Sequence, residues 1–167
     1  AALPLALGSM LWLLVANGSY DGNAAPLPYL PLLNPLDLAI GMTVLVVLLW
    51  GRHAAQHLQI PVLSSRRVQT GGLGLLGFYW FNGMLLRSLH HWAEIPYRAE
   101  ALLRSTLVQA SLSISWALIG MLLMLTATRR QERALWMTGG ALMAVVVVKL
   151  FVIDLSRVGT VERIVSF

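Results

Sequence analysis

The chain has 167 residues, 57% of them hydrophobic and 11% charged, with a mean hydropathy of +0.73, where soluble domains carry about 25% charge. That balance excludes an ordinary soluble domain, and the net charge of +5 comes from arginines gathered at helix ends, which argues against nucleic acid as a partner. Cysteine is absent, so disulfides, thiolate catalysis and cysteine-ligated metal are excluded.

The first apolar run, Leu3 to Ala16, is short for a span and lacks the basic region of a secretion signal. It is followed by the turn signals Asn17-Gly18 and Asp21-Gly22, then by Pro26, Pro28 and Pro31 among Leu and Tyr. This stretch, without Lys or Arg, reads as a turn and an extended segment lying at the membrane interface. Asn34-Pro35-Leu36-Asp37 opens the next helix, with Asn34 as N-cap, Pro35 at N1 and Asp37 as the acid of the first turn. As an alternative to capping, Asp37 is a weak candidate for a catalytic base. The second span covers residues 37–58, and Ser64-Ser65-Arg66-Arg67 follows it. The third covers 71–89, and the connection after it, to Arg104, has mixed charge and Pro96. The fourth (107–128) and fifth (134–154) flank the basic hinge Arg129-Arg130-Gln131-Glu132-Arg133, each long enough to cross about 30 Å of hydrocarbon. From Arg163 another apolar run begins. The expected fold is all-α, a polytopic transmembrane helical bundle of about five spans plus the start of a sixth. The opening Ala-Ala and the apolar end at Phe167 lead to the expectation that residues 1–167 are an excerpt of a longer polytopic protein.

Arginine placement predicts topology. Residues 51–70 and 129–133 form inner loops, 17–36 and 90–105 outer ones, with the N-terminus of the segment cytoplasmic, residue 155 onward outside, and a bacterial inner membrane as the location.

Ionisable groups inside spans carry the functional signal, because each costs about 2.5 to 3.5 kcal/mol to insert. Arg87, His90, His91 and Glu94 are spaced i, i+3, i+4 and i+7, along one helical face, with Asn82 deeper. One reading is a periplasm-facing patch where Arg87 grips a phosphate or carboxylate and a histidine exchanges protons. The plainer reading has Arg87 snorkelling toward the turn of Glu94, with the histidines marking the interface. On either reading Arg87 is expected within hydrogen-bonding reach of Glu94 or of an acid from another helix, because a guanidinium near the hydrocarbon edge needs a partner or water. Lys149, Asp154 and Arg157 form a second cluster at the same face, where Lys149 is able to snorkel outward, and the two clusters together are expected to line a single cavity or simply to pair. Gln109, Ser113, Trp116 and Gly120 make a small and polar stripe on the fourth span, of the kind that packs helices together. His53 and His57 have i, i+4 chelate spacing but no third ligand nearby, so no metal is expected, and the two His pairs sit at opposite ends of the membrane, so no haem or other cofactor is expected. No nucleophile, phosphate-loop or metalloprotease motif decides between an enzyme and a non-enzyme.

Asn34-Pro-Leu-Asp37, His91-Trp92, Gln109-Ala-Ser-Leu-Ser-Ile-Ser-Trp116, Lys149-Leu-Phe-Val-Ile-Asp-Leu-Ser156 and Arg163-Ile-Val-Ser-Phe167, in that order, resemble the C-terminal part of a bacterial multi-pass membrane-protein family, domain of unknown function 2339. The resemblance runs from about Asn34 to the end, and its last three segments are the most specific. It implies membrane architecture and an envelope location, and supplies no catalytic residues. Three functions stay open. The first is a site that binds or handles an anionic envelope ligand, such as a lipid-linked glycan or phospholipid, through Arg87, His90, His91, Lys149, Asp154 and Arg157. The second is a non-catalytic assembly or scaffolding subunit. The third is an ion-coupled transporter with Lys149 and Asp154 as a relay. The expected partners are membrane lipids and the remaining transmembrane helices of a longer chain or of other subunits.

Overall fold

The structure, a computed structural model, describes residues 2–57 and 65–154. The fold is of the all-α class expected, with no strand among the described residues. The chain divides into two compact units, residues 1–102 and 103–167.

The first unit is built on helices α1 (Ala2–Ser19), α2 (Pro35–His57) and α3 (Arg66–Ala93), and a short helix α4 (Ala99–Arg104) begins at its end. The end of α1, the start of α2 and the end of α3 are tied together, so the chain runs up, down and up. The distribution of polarity is inverted relative to a soluble domain. Leu13 and Ile40 are buried, but so are Asn17, Asn34, Asp37 and Arg87, while Leu7, Leu11, Leu45 and Val46 face outward. A surface this apolar around a polar interior is stable when the solvent is lipid. Small residues let the helices approach: the ring of Trp80 on α3 would lie 3.1 Å from a Cβ placed on Gly41 of α2, and a Cβ on Gly83 of α3 would run into the side-chain amide of Asn17 on α1.

Helix α3 is longer than the span read from sequence, continuing through His90 and His91 to Ala93. Nothing in that sequence breaks it until Glu94, which takes a left-handed conformation with φ 55°, and Pro96, whose ring disfavours helix at Ile95.

The second unit is a hairpin of α5 (Thr106–Arg130) and α6 (Arg133–Lys149), continued by a π-helical turn over Leu150–Asp154. The turn falls on the basic hinge. Gln131 closes α5 in the left-handed region at φ 55°, and the backbone N–H groups of Gln131 and Glu132 donate to the carbonyl of Ala127. The hairpin closes most tightly where glycines meet, a Cβ on Gly139 falling 2.8 Å from the carbonyl oxygen of Gly120. Gln109, Ser113 and Gly120 of the predicted stripe are buried, as helix packing requires.

Among the described residues three stretches are long and apolar enough to cross a membrane, Pro35–Ala54, Thr106–Arg130 and Arg133–Val152. The apolar stretch of α1, Pro4–Ser19, is shorter. Helix α3, at 28 residues the longest among the described residues, falls outside that set because Gln69, Asn82, Arg87, His90 and His91 dilute its hydropathy.

Candidate functional site

The centre of the first unit is an ion pair, fully sequestered from solvent, between α2 and α3. Nη2 of Arg87 donates to Oδ1 of Asp37 at 2.5 Å, and both side chains are 0% exposed. Arg87 also reaches α1, with Nη1 donating to the carbonyl of Asn17 at 3.0 Å and Nη2 to the Asn17 side-chain oxygen at 3.2 Å. Asp37 receives two further donors, the indole N–H of Trp80 on Oδ1 at 3.2 Å and the hydroxyl of Tyr29 on Oδ2 at 3.3 Å. The ion pair thus joins all three helices and, through Tyr29, the loop between α1 and α2. Nε of Arg87 makes no hydrogen bond to the described protein atoms, and a buried donor left so reduces what the pair contributes.

Arg87 thus has the acid from another helix that was one of its two expected partners, and the plainer reading, in which it snorkels toward Glu94, is corrected. The guanidinium does not snorkel toward Glu94, which is exposed at the end of α3. It turns inward, because Asp37 on a neighbouring helix offers a charge-assisted partner where hydrocarbon would offer none. Asp37 does stand in the first turn of α2, as expected for a capping acid, but its acceptors go to Arg87, Trp80 and Tyr29.

Capping itself falls to Asn34. Its side-chain oxygen accepts from the N–H of Leu36 at 2.9 Å, and its amide nitrogen donates to the carbonyl of Gly22 at 2.6 Å, so one residue both starts α2 and pins the preceding loop. Replacing Asn34 by Ala is expected to lower stability by about 0.5–2 kcal/mol for the lost cap, read as a fall in melting temperature in detergent. Asn34→Asp, which keeps the acceptor and loses the donor, should recover part of the loss.

Above the pair lies a layer of rings. His91 stacks on Tyr29, centroids 4.6 Å apart at 10°, and its Nε2 bonds the carbonyl of Asp21 at 2.9 Å. His90 bonds the carbonyl of Ile95 through Nδ1 at 2.6 Å, leaving Nε2 at 3.9 Å from the carboxylate of Asp21. Since carbonyls only accept, these ring nitrogens carry protons. Tyr97 packs against His90. Burial raises the pKa of the Tyr29 phenol above its ordinary value, with Asp37 acting the same way and Arg87 opposing, so the hydroxyl stays a donor to Asp37. Burial likewise raises Tyr97, against the pull of Arg87. Both phenols therefore support the fold up to alkaline pH and lose that contribution only as the pH climbs through their raised values.

The second unit has its own polar contact. Nζ of Lys149 donates to the carbonyl of Gln109 at 2.8 Å and to the hydroxyl of Ser113 at 2.9 Å, and lies 5.6 Å from the ring centre of Trp116. Instead of snorkelling outward, the ammonium is drawn across to α5, where a carbonyl, a hydroxyl and an aromatic face suit a cation. Three members of the stripe predicted to pack helices are thus the partners of the lysine predicted to bind a ligand. The side chain of Asp154 and the whole of Arg157 lie outside the described residues, as does the side chain of His57; His53 is exposed on α2. Among the described residues no group of three or more His, Cys, Asp or Glu is arranged to hold a metal.

Sequence reasoning missed Asn17, Tyr29 and Trp80 as partners of the pair. Asn17 was a turn signal and Tyr29 part of a proline-rich segment, and each is buried; a polar residue at the end of an apolar helix was the only local sign of Asn17.

A family model described as a predicted membrane protein, domain of unknown function 2339, matches residues 1–167. The chain belongs to that family, and the match takes in the first 33 residues as well as the segments that resemble it. It is a membrane protein, with helices apolar enough to span. No curated protein and no solved structure matches.

Proposed function

We propose that the chain is a non-catalytic assembly element of a multi-pass protein of the bacterial inner membrane, in which polar side chains fasten helices to one another rather than hold a ligand. The observation that supports this reading is where the two cations go. Arg87 and Lys149, the residues best suited to grip an anion, donate to Asp37 and Asn17 and to Gln109 and Ser113, all on neighbouring helices of their own units. An anionic headgroup would have to compete with a carboxylate already seated on Arg87. Helices α1 and α3 cross the membrane beside α2 on this reading, with the Arg129–Arg133 turn and the N-terminus on the cytoplasmic side, as the arginine distribution supports. The partners are lipids and further transmembrane helices, of the same polypeptide or of other subunits, laid on the apolar outer faces.

The test separates abundance from function. Arg87→Ala and Lys149→Ala are expressed in a strain lacking the gene, and membrane abundance and complementation are measured independently. Both should fall together, several-fold, and the apolar pair Asp37→Leu with Arg87→Met should restore both, since a buried ion pair exchanged for apolar residues is often neutral. Wild-type abundance with complementation abolished would overturn the assembly reading in favour of an anionic-ligand site.

A further inference from the structure

The loop between α1 and α2 does two things at once. Tyr29 and Asn34 point inward, 7% and 3% exposed, and hold the polar cluster, while Leu27, Leu30, Leu32 and Leu33 point outward at 66%, 50%, 53% and 68% exposure. No charged residue occurs between Asp21 and Asp37, so this face has nothing to recommend it to water or to a charged partner. We infer that these leucines are a bilayer anchor, inserted among the upper acyl chains of the leaflet at this end of the first unit, with the loop backbone lying at the headgroup boundary. The inference does not depend on the assembly reading.

Four observations identify lipid as the occupant. The loop runs without interruption into Pro35–Ala54, a helix apolar enough to cross a membrane, so covalent continuity places it at the membrane boundary. Its backbone suits that depth: Pro26, Pro28 and Pro31 have no N–H to satisfy, and the turns are closed locally by Leu27 N–H to Ala24 and Asn34 N–H to Leu30. Tyr20, 60% exposed at its start, and Trp92, 66% exposed one residue from His91, are the aromatic types that settle at headgroup level. The fourth observation is backbone strain. Leu32 sits at φ 68°, a left-handed conformation that glycine adopts freely and leucine resists. Turned outward in that conformation at 53% exposure, its side chain gains from burial in acyl chains. Without Lys or Arg in the segment, insertion is apolar and independent of headgroup charge.

Since the chain has no cysteine, single-cysteine variants at Leu27, Leu30, Leu32 and Leu33 carry a nitroxide label uniquely. The full chain is reconstituted in phosphatidylethanolamine vesicles with varied phosphatidylglycerol, and collision with oxygen is compared with collision with a water-soluble nickel chelate. Oxygen should exceed nickel several-fold at Leu27 and Leu33 whatever the phosphatidylglycerol content, and the order should reverse at exposed Arg98. Greater access to nickel would place the loop in water, and low access to both would place it under protein; either result overturns the anchor. With the label at Leu33, Leu32→Gly should fold normally, because glycine suits φ 68°, yet raise nickel access several-fold. Unchanged depth in that variant would show that Leu32 is not inserted.

Discussion

Arg87→Ala is expected to lower the stability of the first unit by about 3–5 kcal/mol, the usual cost of leaving one member of a buried ion pair without the other. The variant strands the carboxylate of Asp37 in an environment where its other donors are the neutral Trp80 indole and Tyr29 hydroxyl. It also takes away both bonds to Asn17, so α1 loses its link to the pair. Asp37→Ala should cost a similar amount from the other side, because the guanidinium then keeps only amide oxygens. Asp37→Asn should cost less, since an amide still accepts from Arg87 and Trp80 without carrying charge. Reversible unfolding in bicelles measures all three. A loss below about 1 kcal/mol for Arg87→Ala, the range of exposed pairs, would mean that the pair is hydrated and does not join the helices.

Gly83→Ala comes second, with an expected loss of about 1–3 kcal/mol from overpacking. The added methyl falls on the side-chain amide of Asn17. That amide has little freedom to step aside, because its nitrogen donates to the carbonyl of Tyr79 at 2.8 Å and its oxygen accepts from Arg87. Tyr79 in turn donates to the carbonyl of Leu14 at 2.7 Å, so a shift of Asn17 strains several α1–α3 bonds together. Gly74→Ala on the same helix is the control. Nothing lies within 4 Å of a Cβ there, and alanine's better helix propensity should leave stability unchanged or raise it by up to about 1 kcal/mol. A Gly83→Ala variant that melts with the wild type would contradict the close α1–α3 approach.

Local features of the sequence were legible because local physics causes them. Long apolar runs had to be helices, Arg-Arg-Gln-Glu-Arg interrupted two of them and became the hairpin turn, and Asn34-Pro35 capped α2 as such a pair does. The stripe from Gln109 to Gly120 announced a packed face, and it is one. At the centre of the polar cluster, the need of Arg87 for an acid on its own helix or another was legible, but which acid was not. Asp37 and Arg87 are 50 residues apart, and the i+7 spacing of Glu94 offered a local partner that competes well on paper and not at all in three dimensions. Lys149 illustrates the same limit. A long flexible stem reaches water or a neighbouring helix equally well, and the choice was made by the carbonyl of Gln109 and the hydroxyl of Ser113, residues 40 and 36 positions away. Tyr29 was hidden for a different reason: in a proline-rich segment of outward leucines, nothing local marks the one ring that turns inward.

That Asp37 and Arg87 join the helices of the first unit is tested most directly by a double-mutant cycle with Asp37→Leu and Arg87→Met in a lipid bilayer. Each single variant should lose about 3–5 kcal/mol and the double should return to within about 1 kcal/mol of wild type, because the two groups then leave together and no charge is stranded. Losses that simply add, with the double variant the least stable of all, would contradict a mutual pair and assign each residue its own separate partner.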